Sequence, residues 1–362
     1  MAKKEKKICL VIPSLHSGGM ERVMCELANY MSAKDNITVH LVLYGKSPSV
    51  FYNLSTKIQL HRPAYTFRDS LRLWFTLRAL IFLRRQVRDI QPETILSFGE
   101  YWNSFVLVAL IGLKYPVYIS DRCQPDKTFG TFHTLLRKWL YPKAAGIIVQ
   151  TKKAHEIYSG KFKHERIAVI ANPIRQLQRS ERTEKENIIL TVGRLIRTKH
   201  HDRLIKIFSK LNAKDWKLFI VGGNALRQNN LSTLLKLVEN LGLKNKVILA
   251  GELPDVDSFY YKSKIFAFTS SSEGFPNVIG EALSASLPVV SYNCIAGPSE
   301  MINDGENGFL VPVFDDELFQ KRLQQLIDDE ELWQKMAAKA PASVEKYSIE
   351  KIGQQFLSFI LA

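Results

Sequence analysis

The sequence predicts an α/β protein in which two mostly parallel, doubly wound sheets follow one another along the chain. Short apolar runs alternate with segments of helical periodicity, which is typical of a parallel sheet covered by helices on both faces. The alternation pauses at a polar stretch, residues 176–187, and then begins again. A chain of 362 residues is long enough for two such domains. We therefore expect two Rossmann-like domains that face each other across a cleft.

The strands are predicted at short runs rich in β-branched residues. Before the polar stretch these runs are residues 7–12, 37–44, 94–98, 117–120 and 146–150. After it they are residues 188–192, 216–221, 246–250, 265–269 and 287–292. Helical patterns cover residues 21–31, 317–340 and 348–361. The expected boundaries are residues 1–172 and 173–345, with a helix at about residues 346–362 that returns to the N-terminal domain.

The charge of the chain is concentrated in its first half. The formal net charge is +15, from 50 Lys and Arg against 35 Asp and Glu. Residues 1–175 hold 27 Lys and Arg and 12 Asp and Glu, whereas the remainder holds 23 of each. Such an excess of cations favours nucleic acid or an anionic membrane surface as a partner. Hydrophobic residues make up 46% of the chain, which excludes wholesale disorder.

The cysteines and the apolar runs indicate a cytoplasmic protein. Four cysteines lie far apart, without zinc spacing or the density of a disulfide scaffold. The apolar run at residues 8–12 is too short for a signal peptide, and no run reaches the length of a transmembrane helix.

Two glycine loops follow predicted strands. Gly18 and Gly19 stand where the first helix begins, and backbone N–H groups there can bind phosphate. A simple glycine turn explains this pair equally well, and the pair lacks the GxGxxG spacing of a dinucleotide site. The second loop contains Arg194 and Lys199, which together could clamp a diphosphate, although either cation alone is more often a solvated surface residue.

The most specific stretch is residues 270–282, SSSEGFPNVIGEA. It places Glu273 in a loop after a strand and Glu281 on the helix that follows. The helix N-terminus between them can face phosphates while the two carboxylates accept hydrogen bonds from hydroxyl groups. Two ordinary surface carboxylates would explain a lone pair of glutamates, but not this combination of serine-rich turn, GFPN loop and helix start.

This stretch resembles the EX7E motif of retaining glycosyltransferases of the GT-B fold, specifically the large family 4. Residues 18–22, GGMER, are similar to the GGxER loop of that family, and GRL at residues 193–195 with Lys199 is similar to its GRL...K element. Residues 305–312, GENGFLVP, resemble its NGxxGxLV turn. The four elements occur in the family's order and span nearly the whole chain.

The resemblance implies roles for individual residues. Arg194 and Lys199 would hold the diphosphate of a nucleotide sugar, Glu281 would bind its ribose hydroxyls, and Glu273 would contact the transferred sugar. Backbone N–H groups of the GFPN loop would assist, and this loop consists of Gly274, Phe275, Pro276 and Asn277.

By the same resemblance, Gly18 and Gly19 would close over the phosphates from the other domain. The nucleotide sugar is a co-substrate, and no cofactor and no metal are expected, because cations and a helix dipole neutralise the leaving diphosphate.

One departure from the family concerns a histidine near the sugar. The segment at residues 116–123, PVYISDRC, has no histidine there, and Asp121 or Arg122 occupies its neighbourhood as a candidate catalytic residue. His16 and Glu100 are candidate acceptor contacts, although a solvated loop side chain is an alternative for each.

Residues 67–90 interleave arginines with Leu, Phe, Trp and Ile. The six arginines are Arg68, Arg72, Arg78, Arg84, Arg85 and Arg88. Such a segment could lie on anionic lipid or bind a lipid-linked pyrophosphate. The alternative is an internal helix with a few exposed cations, because the arginines do not gather on one helix face.

The resemblance implies a retaining glycosyltransferase, and the excess of cations in the first half favours action at the cytoplasmic face of a membrane. The C-terminal domain would bind a UDP-sugar such as UDP-GalNAc or UDP-GlcNAc, and the basic N-terminal domain would bind an anionic acceptor such as a polyprenyl-diphosphate oligosaccharide or a lipopolysaccharide core. The SGGMERV and ISDRCQP segments are similar to bacterial transferases that build such glycans. The alternatives are a GT-B nucleotide-sugar epimerase and a nucleic-acid-binding protein, and the latter leaves the two glutamates unexplained.

Overall fold

Two parallel sheets organise the chain, one in each of two compact units. The computed structural model describes residues 5–46, 49–65, 67, 69–177, 184–225, 228–253 and 255–362. The first unit comprises Met1–Pro173 and Ile349–Ala362, and the second comprises Ile174–Ser348. The prediction of two doubly wound α/β domains is confirmed.

The sheet of the first unit has seven strands in the order β3-β2-β1-β4-β5-β6-β7. All strand pairs are parallel. In chain order the elements are β1 (Lys6–Ile12), α1 (Gly19–Ser32), β2 (Ile37–Leu43), β3 (Gln59–His61), α2 (Arg72–Ile90), β4 (Thr94–Phe98), α3 (Glu100–Ala109), β5 (Val117–Ser120), α4 (Gly130–Leu140), β6 (Gly146–Val149), α5 (Lys152–Lys161) and β7 (Ile167–Val169). The strand order reverses between β1 and β4, which is where parallel sheets usually bind ligands.

The sheet of the second unit has six strands, also parallel, in the order β10-β9-β8-β11-β12-β13. Its elements are β8 (Ile188–Val192), α6 (His201–Phe208), β9 (Lys217–Val221), α7 (Asn230–Asn240), β10 (Val247–Gly251), α8 (Asp257–Lys262), β11 (Ile265–Phe268), α9 (Asn277–Ser284), β12 (Val289–Tyr292), α10 (Pro298–Met301), β13 (Gly308–Val311), α11 (Asp316–Asp328) and α12 (Glu330–Lys339). Again the order reverses beside the first strand, between β8 and β11.

Three strands were not predicted. β3, β7 and β13 have only three or four residues each, and β3 and β7 are half-exposed strands at the two edges of their sheet. β3 has one apolar residue, whereas β7 and β13 are apolar but too short for their pattern to distinguish a strand from another segment. The helical pattern over residues 317–340 is divided into α11 and α12 at Asp329, whose side chain accepts a hydrogen bond from the backbone N–H of Leu332. Arg68 and residues 178–183 of the polar stretch lie outside the described residues.

The last helix, α13 (Ile349–Ile360), belongs to the first unit, as the sequence predicts. Gly353 faces α1 so closely that a Cβ atom at this position would overlap the ring of Tyr30. Phe356 is buried beside Phe98 of β4, with 6.1 Å between ring centroids. The glycine thus allows the two helices to approach, and the aromatic side chain anchors α13 on the sheet.

Among the described helices, none combines the length and the apolar composition needed to cross a membrane.

Replacement of Gly353 by alanine should destabilise the first unit. Alanine favours helices over glycine, but the added methyl group overpacks against Tyr30, at a cost of about 1–3 kcal/mol. The matched control is Gly160→Ala in α5, where a Cβ atom meets open space, so helix propensity should raise the stability by up to about 1 kcal/mol. Urea denaturation followed by circular dichroism measures both changes. A midpoint for Gly353→Ala equal to or above that of the wild type would contradict the close packing of α13.

Candidate functional site

The predicted donor-binding residues of the second unit follow β8 and β11, two neighbouring strands of its sheet. A short turn at Arg197–Lys199 follows β8, and the serine-rich loop follows β11. Backbone and side-chain hydrogen bonds tie the two together: the N–H of Ser271 donates to the carbonyl of Thr198 (2.9 Å), and the hydroxyl of Thr269 donates to the carbonyl of Lys199 (2.8 Å). Two segments 70 residues apart in the chain therefore form one surface at the carboxyl edge of the sheet.

Lys199 and Glu273 form an ion pair on this surface. The Nζ atom of Lys199 lies 2.5 Å from Oε1 of Glu273 and 5.0 Å from the centroid of the Phe268 ring. Both side chains are mostly but not completely covered, with 17% and 14% of their surface exposed. The pair therefore places one cation and one carboxylate, each in a fixed position, where a ligand can reach them.

The backbone around Gly193 is packed tightly against the next glycine loop. Gly222 has φ +143°, and a Cβ atom there would collide with the carbonyl oxygen of Gly193. Only glycine allows this approach. Arg194, the next residue, is exposed, and its side chain makes no ion pair with another described residue. Its side chain is therefore accessible to an anion from solvent.

Helix α9 begins directly after the GFPN loop. Gly274, Phe275 and Pro276 are buried, whereas Asn277 is half-buried. The N-cap residue of α9, Pro276, makes no side-chain cap, and the first turn contains no acidic residue that would oppose the positive end of the helix dipole. The ring of Phe275 meets that of Tyr347 edge to face, with 5.4 Å between centroids. The contact with Tyr347 and the hydrogen bond from the N–H of Asn277 to the carbonyl of Phe275 (3.0 Å) hold the loop in place.

Glu281, one turn further along α9, is 4% exposed. Its Oε1 accepts a hydrogen bond from Nε of Arg175 (3.2 Å), and its Oε2 accepts one from the hydroxyl of Tyr260 (2.9 Å). These two donors hold the Glu281 carboxylate in one orientation.

In the first unit, Gly18 is the N-cap residue of α1 and Gly19 its first residue, and the carboxylate of Glu21 in the first turn lies against Gly18. The hydroxyl of Tyr52 accepts a hydrogen bond from the N–H of Gly18 (2.8 Å) and donates one to its carbonyl (2.7 Å). His16, in the same loop, is exposed, and its Nδ1 lies 2.6 Å from the hydroxyl oxygen of Ser49. The glycine loop is therefore fixed at Gly18 and open to solvent at His16.

Asp121 has a structural environment that does not support the expected catalytic role. It is 5% exposed, and its two oxygens accept hydrogen bonds from four side chains. These donors are Asn103 (2.8 Å), Tyr141 (2.7 Å), Arg137 and Tyr158. Burial raises the pKa of both tyrosines well above the usual value, so their hydroxyls remain protonated donors. All four acceptor positions of the carboxylate are occupied, which leaves none for a substrate.

Arg122 and Glu100 lie together at the carboxyl edge of the same sheet. The backbone N–H of Arg122 donates to Oε2 of Glu100 (3.3 Å), and its guanidinium donates to Oδ1 of Asn172 (2.5 Å) and stacks 3.7 Å from the centroid of Phe98. Burial lowers the pKa of Arg122 to about 9, against the opposing effect of the Asp121 and Glu100 carboxylates. The two neighbours thus have different surroundings: the Arg122 guanidinium lies between Asn172 and the Phe98 ring, and the Asp121 carboxylate is surrounded by four side-chain donors.

The sequence did not point to the residues that surround the buried carboxylates. Arg175 and Tyr260 hold Glu281, and neither belongs to a motif. The one local feature near Arg175 is the Asn172-Pro173 dipeptide at the end of an apolar run, which Ile174 separates from the arginine. Within the described ranges, no cluster of three or more His, Cys, Asp or Glu side chains has the arrangement of a metal site.

Comparison with known protein families identifies both halves of the chain. Residues 17–175 match the model of Glycosyltransferase Family 4, and residues 174–343 match that of Glycosyl transferases group 1. Together the two matches contain all the motif elements described above, apart from His16.

Relatives in sequence and a solved structure also point to the glycosyltransferases. An uncharacterized glycosyltransferase of Haemophilus influenzae is 30% identical over 97% of this chain and 99% of its own length. The GalNAc-alpha-(1->4)-GalNAc-alpha-(1->3)-diNAcBac-PP-undecaprenol alpha-1,4-N-acetyl-D-galactosaminyltransferase of Campylobacter jejuni is 26% identical over 98% of both chains. The crystal structure of Anabaena HepE in complex with UDP has the same fold, with a TM-score of 0.79 at 19% identity over 98% of both chains. The chain therefore belongs to the GT-B glycosyltransferases, with a family 4 sequence in its first half and a group 1 sequence in its second.

Proposed function

We propose that this glycosyltransferase transfers a hexose or N-acetylhexosamine from a UDP-sugar to a membrane-associated anionic glycan, with retention of configuration at the anomeric carbon. The observation that carries the proposal is the ion pair between Lys199 and Glu273 beside the uncapped start of α9. A diphosphate needs cations and free N–H groups, and a sugar needs a carboxylate that accepts hydrogen bonds from its hydroxyls. The loop after β11 and the turn after β8 supply such a cation and such a carboxylate, which supports the proposal.

In this proposal, each group acts on one part of the donor. Arg194, Lys199 and the N-terminus of α9 bind the diphosphate and stabilise the negative charge that develops as it leaves. Glu273 orients the sugar, and Glu281 accepts hydrogen bonds from the ribose. The acceptor hydroxyl attacks from the face that the diphosphate leaves, and its proton passes to a phosphate oxygen of the donor. The cations take the place of a metal ion.

The UDP and acceptor assignments draw on the relatives as well as on charge. HepE, which shares the fold, was solved with UDP, and the Campylobacter relative is named for a PP-undecaprenol-linked substrate. The excess of cations in residues 1–175 is what an anionic, lipid-linked acceptor requires. Gly18, His16, Glu100 and Arg122 lie at the carboxyl edge of this unit's sheet, and we assign the acceptor to that edge.

Helix α2 supports a position at a membrane surface. Four large apolar side chains on it are exposed, namely Leu73, Trp74, Leu77 and Ile81. Exposed arginines flank them, namely Arg72, Arg78, Arg85 and Arg88. Exposed apolar residues bordered by cations are typical of a helix that lies in the interface of an anionic bilayer. We therefore propose that the enzyme binds peripherally to the cytoplasmic face of the cell membrane through α2.

Loss of Lys199 and loss of Glu281 should weaken nucleotide binding in different ways. Lys199→Met should weaken the binding of UDP but not that of uridine, because the charge of Lys199 acts on the phosphates. Glu281→Ala should weaken the binding of both UDP and uridine, and it should abolish the preference for UDP over 2′-deoxy-UDP. We expect losses of roughly 10- to 100-fold, as for hydrogen bonds to charged groups, in isothermal titration calorimetry. The matched control is Lys244→Met, since Lys244 also lies 2.5 Å from a glutamate, Glu239, but on the exposed surface. Unchanged UDP affinity in Glu281→Ala would exclude the ribose assignment.

Incubation with a panel of UDP- and GDP-sugars and a bacterial lipid extract should yield a glycolipid from a UDP-sugar. The product should have the anomeric configuration of the donor by NMR, and EDTA should not lower the rate. An inverted product would contradict the mechanism. Turnover of the nucleotide sugar without any acceptor would favour an epimerase instead.

Removal of the exposed apolar residues of α2 should release the protein from membranes. The double variant Trp74→Ser with Leu77→Ser should bind anionic vesicles at least about tenfold more weakly in sedimentation assays, because each apolar side chain contributes about 1.5–3 kcal/mol when it enters the bilayer. Salt should weaken binding of the wild type as well. Leu235→Ser on α7, a leucine of the second unit exposed to a similar extent, is the control. Equal sedimentation of all three proteins would exclude α2 as the membrane contact.

A further inference from the structure

We propose that the first unit binds one acyl chain of an anionic phospholipid in a cavity between the end of α3 and the end of α4, with Lys143 beside the opening to bind the phosphate of the head group. This inference rests on the proposed position at a membrane, which supplies the lipid. The cavity lies at the amino ends of β5 and β6, at the opposite edge of the sheet from Glu100 and Arg122. It therefore adds a site that none of the glycosyltransferase motifs contains.

The cavity is lined mainly by apolar side chains. Its volume is about 260 Å³, which is smaller than the roughly 300–1,000 Å³ of sites for drug-sized ligands. A thin and flexible ligand, such as part of one hydrocarbon chain, suits this space better than a nucleotide sugar does. The large apolar and aromatic residues of the lining are Leu107, Leu110, Ile111, Leu113, Tyr115 and Leu140.

Backbone groups around the cavity have partners within the protein. The N–H of Leu113 donates to the carbonyl of Leu110 (3.0 Å), and the N–H of Ala145 donates to the carbonyl of Val117 (2.8 Å). A ligand in the cavity gains little from hydrogen bonds to groups that are already paired. Its binding must therefore come chiefly from the burial of apolar surface, which favours a hydrocarbon chain.

Lys143 is the one charged residue among the described residues that line the cavity. It is exposed, and its Nζ lies 3.7 Å from the centroid of the Trp139 ring. Trp139 is also exposed, so the cation and the ring lie together at the surface. An ammonium group beside an apolar cavity suits an amphiphile whose anionic head stays in water while its chain is buried.

The helices around the cavity form one layer. The connections through α2, α3 and α4 run in the same direction across the sheet, and such crossovers are right-handed, so the three helices lie on one face. α3 packs against both α2 and α4. On α4 the exposed residues Phe132, Leu135 and Trp139 recur at intervals of three and four residues and share one side of the helix. The end of α3 therefore lies between this apolar stripe and the exposed apolar residues of α2.

The rim of the cavity is bonded to α2. Nη1 of Arg84 donates to the carbonyls of Ala109 (3.0 Å) and Ile111 (2.8 Å), and the side chain of Ile111 is itself exposed. The proposed membrane face on α2 thus continues over the end of α3 to α4. A bilayer on this face offers acyl chains to the cavity and anionic phosphates to Lys143. Further exposed cations of these helices and their loops are Arg85, Arg88, Lys114 and Lys138.

Binding of a water-soluble lysolipid to the full chain tests the site. Lauroyl lysophosphatidylglycerol, below its critical micelle concentration, should form a one-to-one complex in isothermal titration calorimetry and native mass spectrometry. Lauroyl lysophosphatidylcholine should bind roughly three- to fivefold more weakly, because its choline group compensates the phosphate charge that Lys143 binds. Glycerol 3-phosphate, the head group without a chain, should bind at least about a hundredfold more weakly, because burial of the chain supplies most of the affinity.

Two exposed residues of the rim allow substitutions that leave the core intact. Ile111→Ser should weaken the lysophosphatidylglycerol complex about tenfold, because an apolar contact with the chain is lost. Lys143→Gln should abolish the preference for lysophosphatidylglycerol over lysophosphatidylcholine. The matched controls are Leu235→Ser, at an exposed leucine of the second unit, and Lys138→Gln, at an exposed cation of α4 outside the cavity lining. Both controls should bind the lysolipids as the wild type does.

The double variant Trp74→Ser with Leu77→Ser separates this site from the membrane contact, since neither residue lines the cavity. It should lose sedimentation with vesicles and keep the lysolipid complex. The inference is overturned if the wild type forms no one-to-one complex, or if Ile111→Ser binds the lysolipid as tightly as the wild type does. Tighter binding of farnesyl phosphate than of the lysolipid would overturn the acyl assignment. If the wild type does not sediment with anionic vesicles at all, the proposed membrane position fails, and the source of the lipid with it.

Discussion

The uniform direction of the strands is the constraint on which the other features depend. In both sheets every pair of neighbouring strands is parallel. After each strand the chain must therefore return from the carboxyl ends of the strands to their amino ends before the next strand begins. The loops that follow the strands therefore collect at one edge of each sheet. Lys199 and Glu273 meet because β8 and β11 are neighbours in the sheet, although 74 residues separate them in the chain. The same rule brings Arg122 and Glu100 together in the first unit.

Each unit contains an almost fully buried carboxylate that an arginine and at least one tyrosine hydroxyl stabilise. Asp121 is surrounded by four donors from three helices and the turn at Tyr141–Lys143, and it is saturated. Glu281 accepts hydrogen bonds from Arg175 and Tyr260, and these donors fix its orientation. In both units, donors that are distant in the chain therefore hold the acid in place.

The sequence was a good guide to the strands and a partial guide to the site. Buried parallel strands are continuous apolar runs, so β4, β5 and β8 were predicted with the bounds that the structure has. The spacing of Glu273 and Glu281 identified the donor stretch, but the roles assigned to these residues came from family resemblance. Burial of Asp121 could not be predicted, because its donors come from distant elements. Arg175 was missed for the same reason, since it lies 106 residues from Glu281 and no local pattern marks the contact.

The return of α13 to the first unit has a consequence for biosynthesis. This helix is translated after the whole second unit, yet Phe356 and Gly353 pack on elements made at the beginning. While the ribosome makes residues 174–348, the surface of α1 around Tyr30 and that of β4 around Phe98 lack their cover. At elongation rates of about 5–20 residues per second this interval lasts on the order of ten seconds or more. The nascent first unit therefore carries an exposed apolar surface, open to chaperones or to aggregation, until the last helix leaves the ribosome.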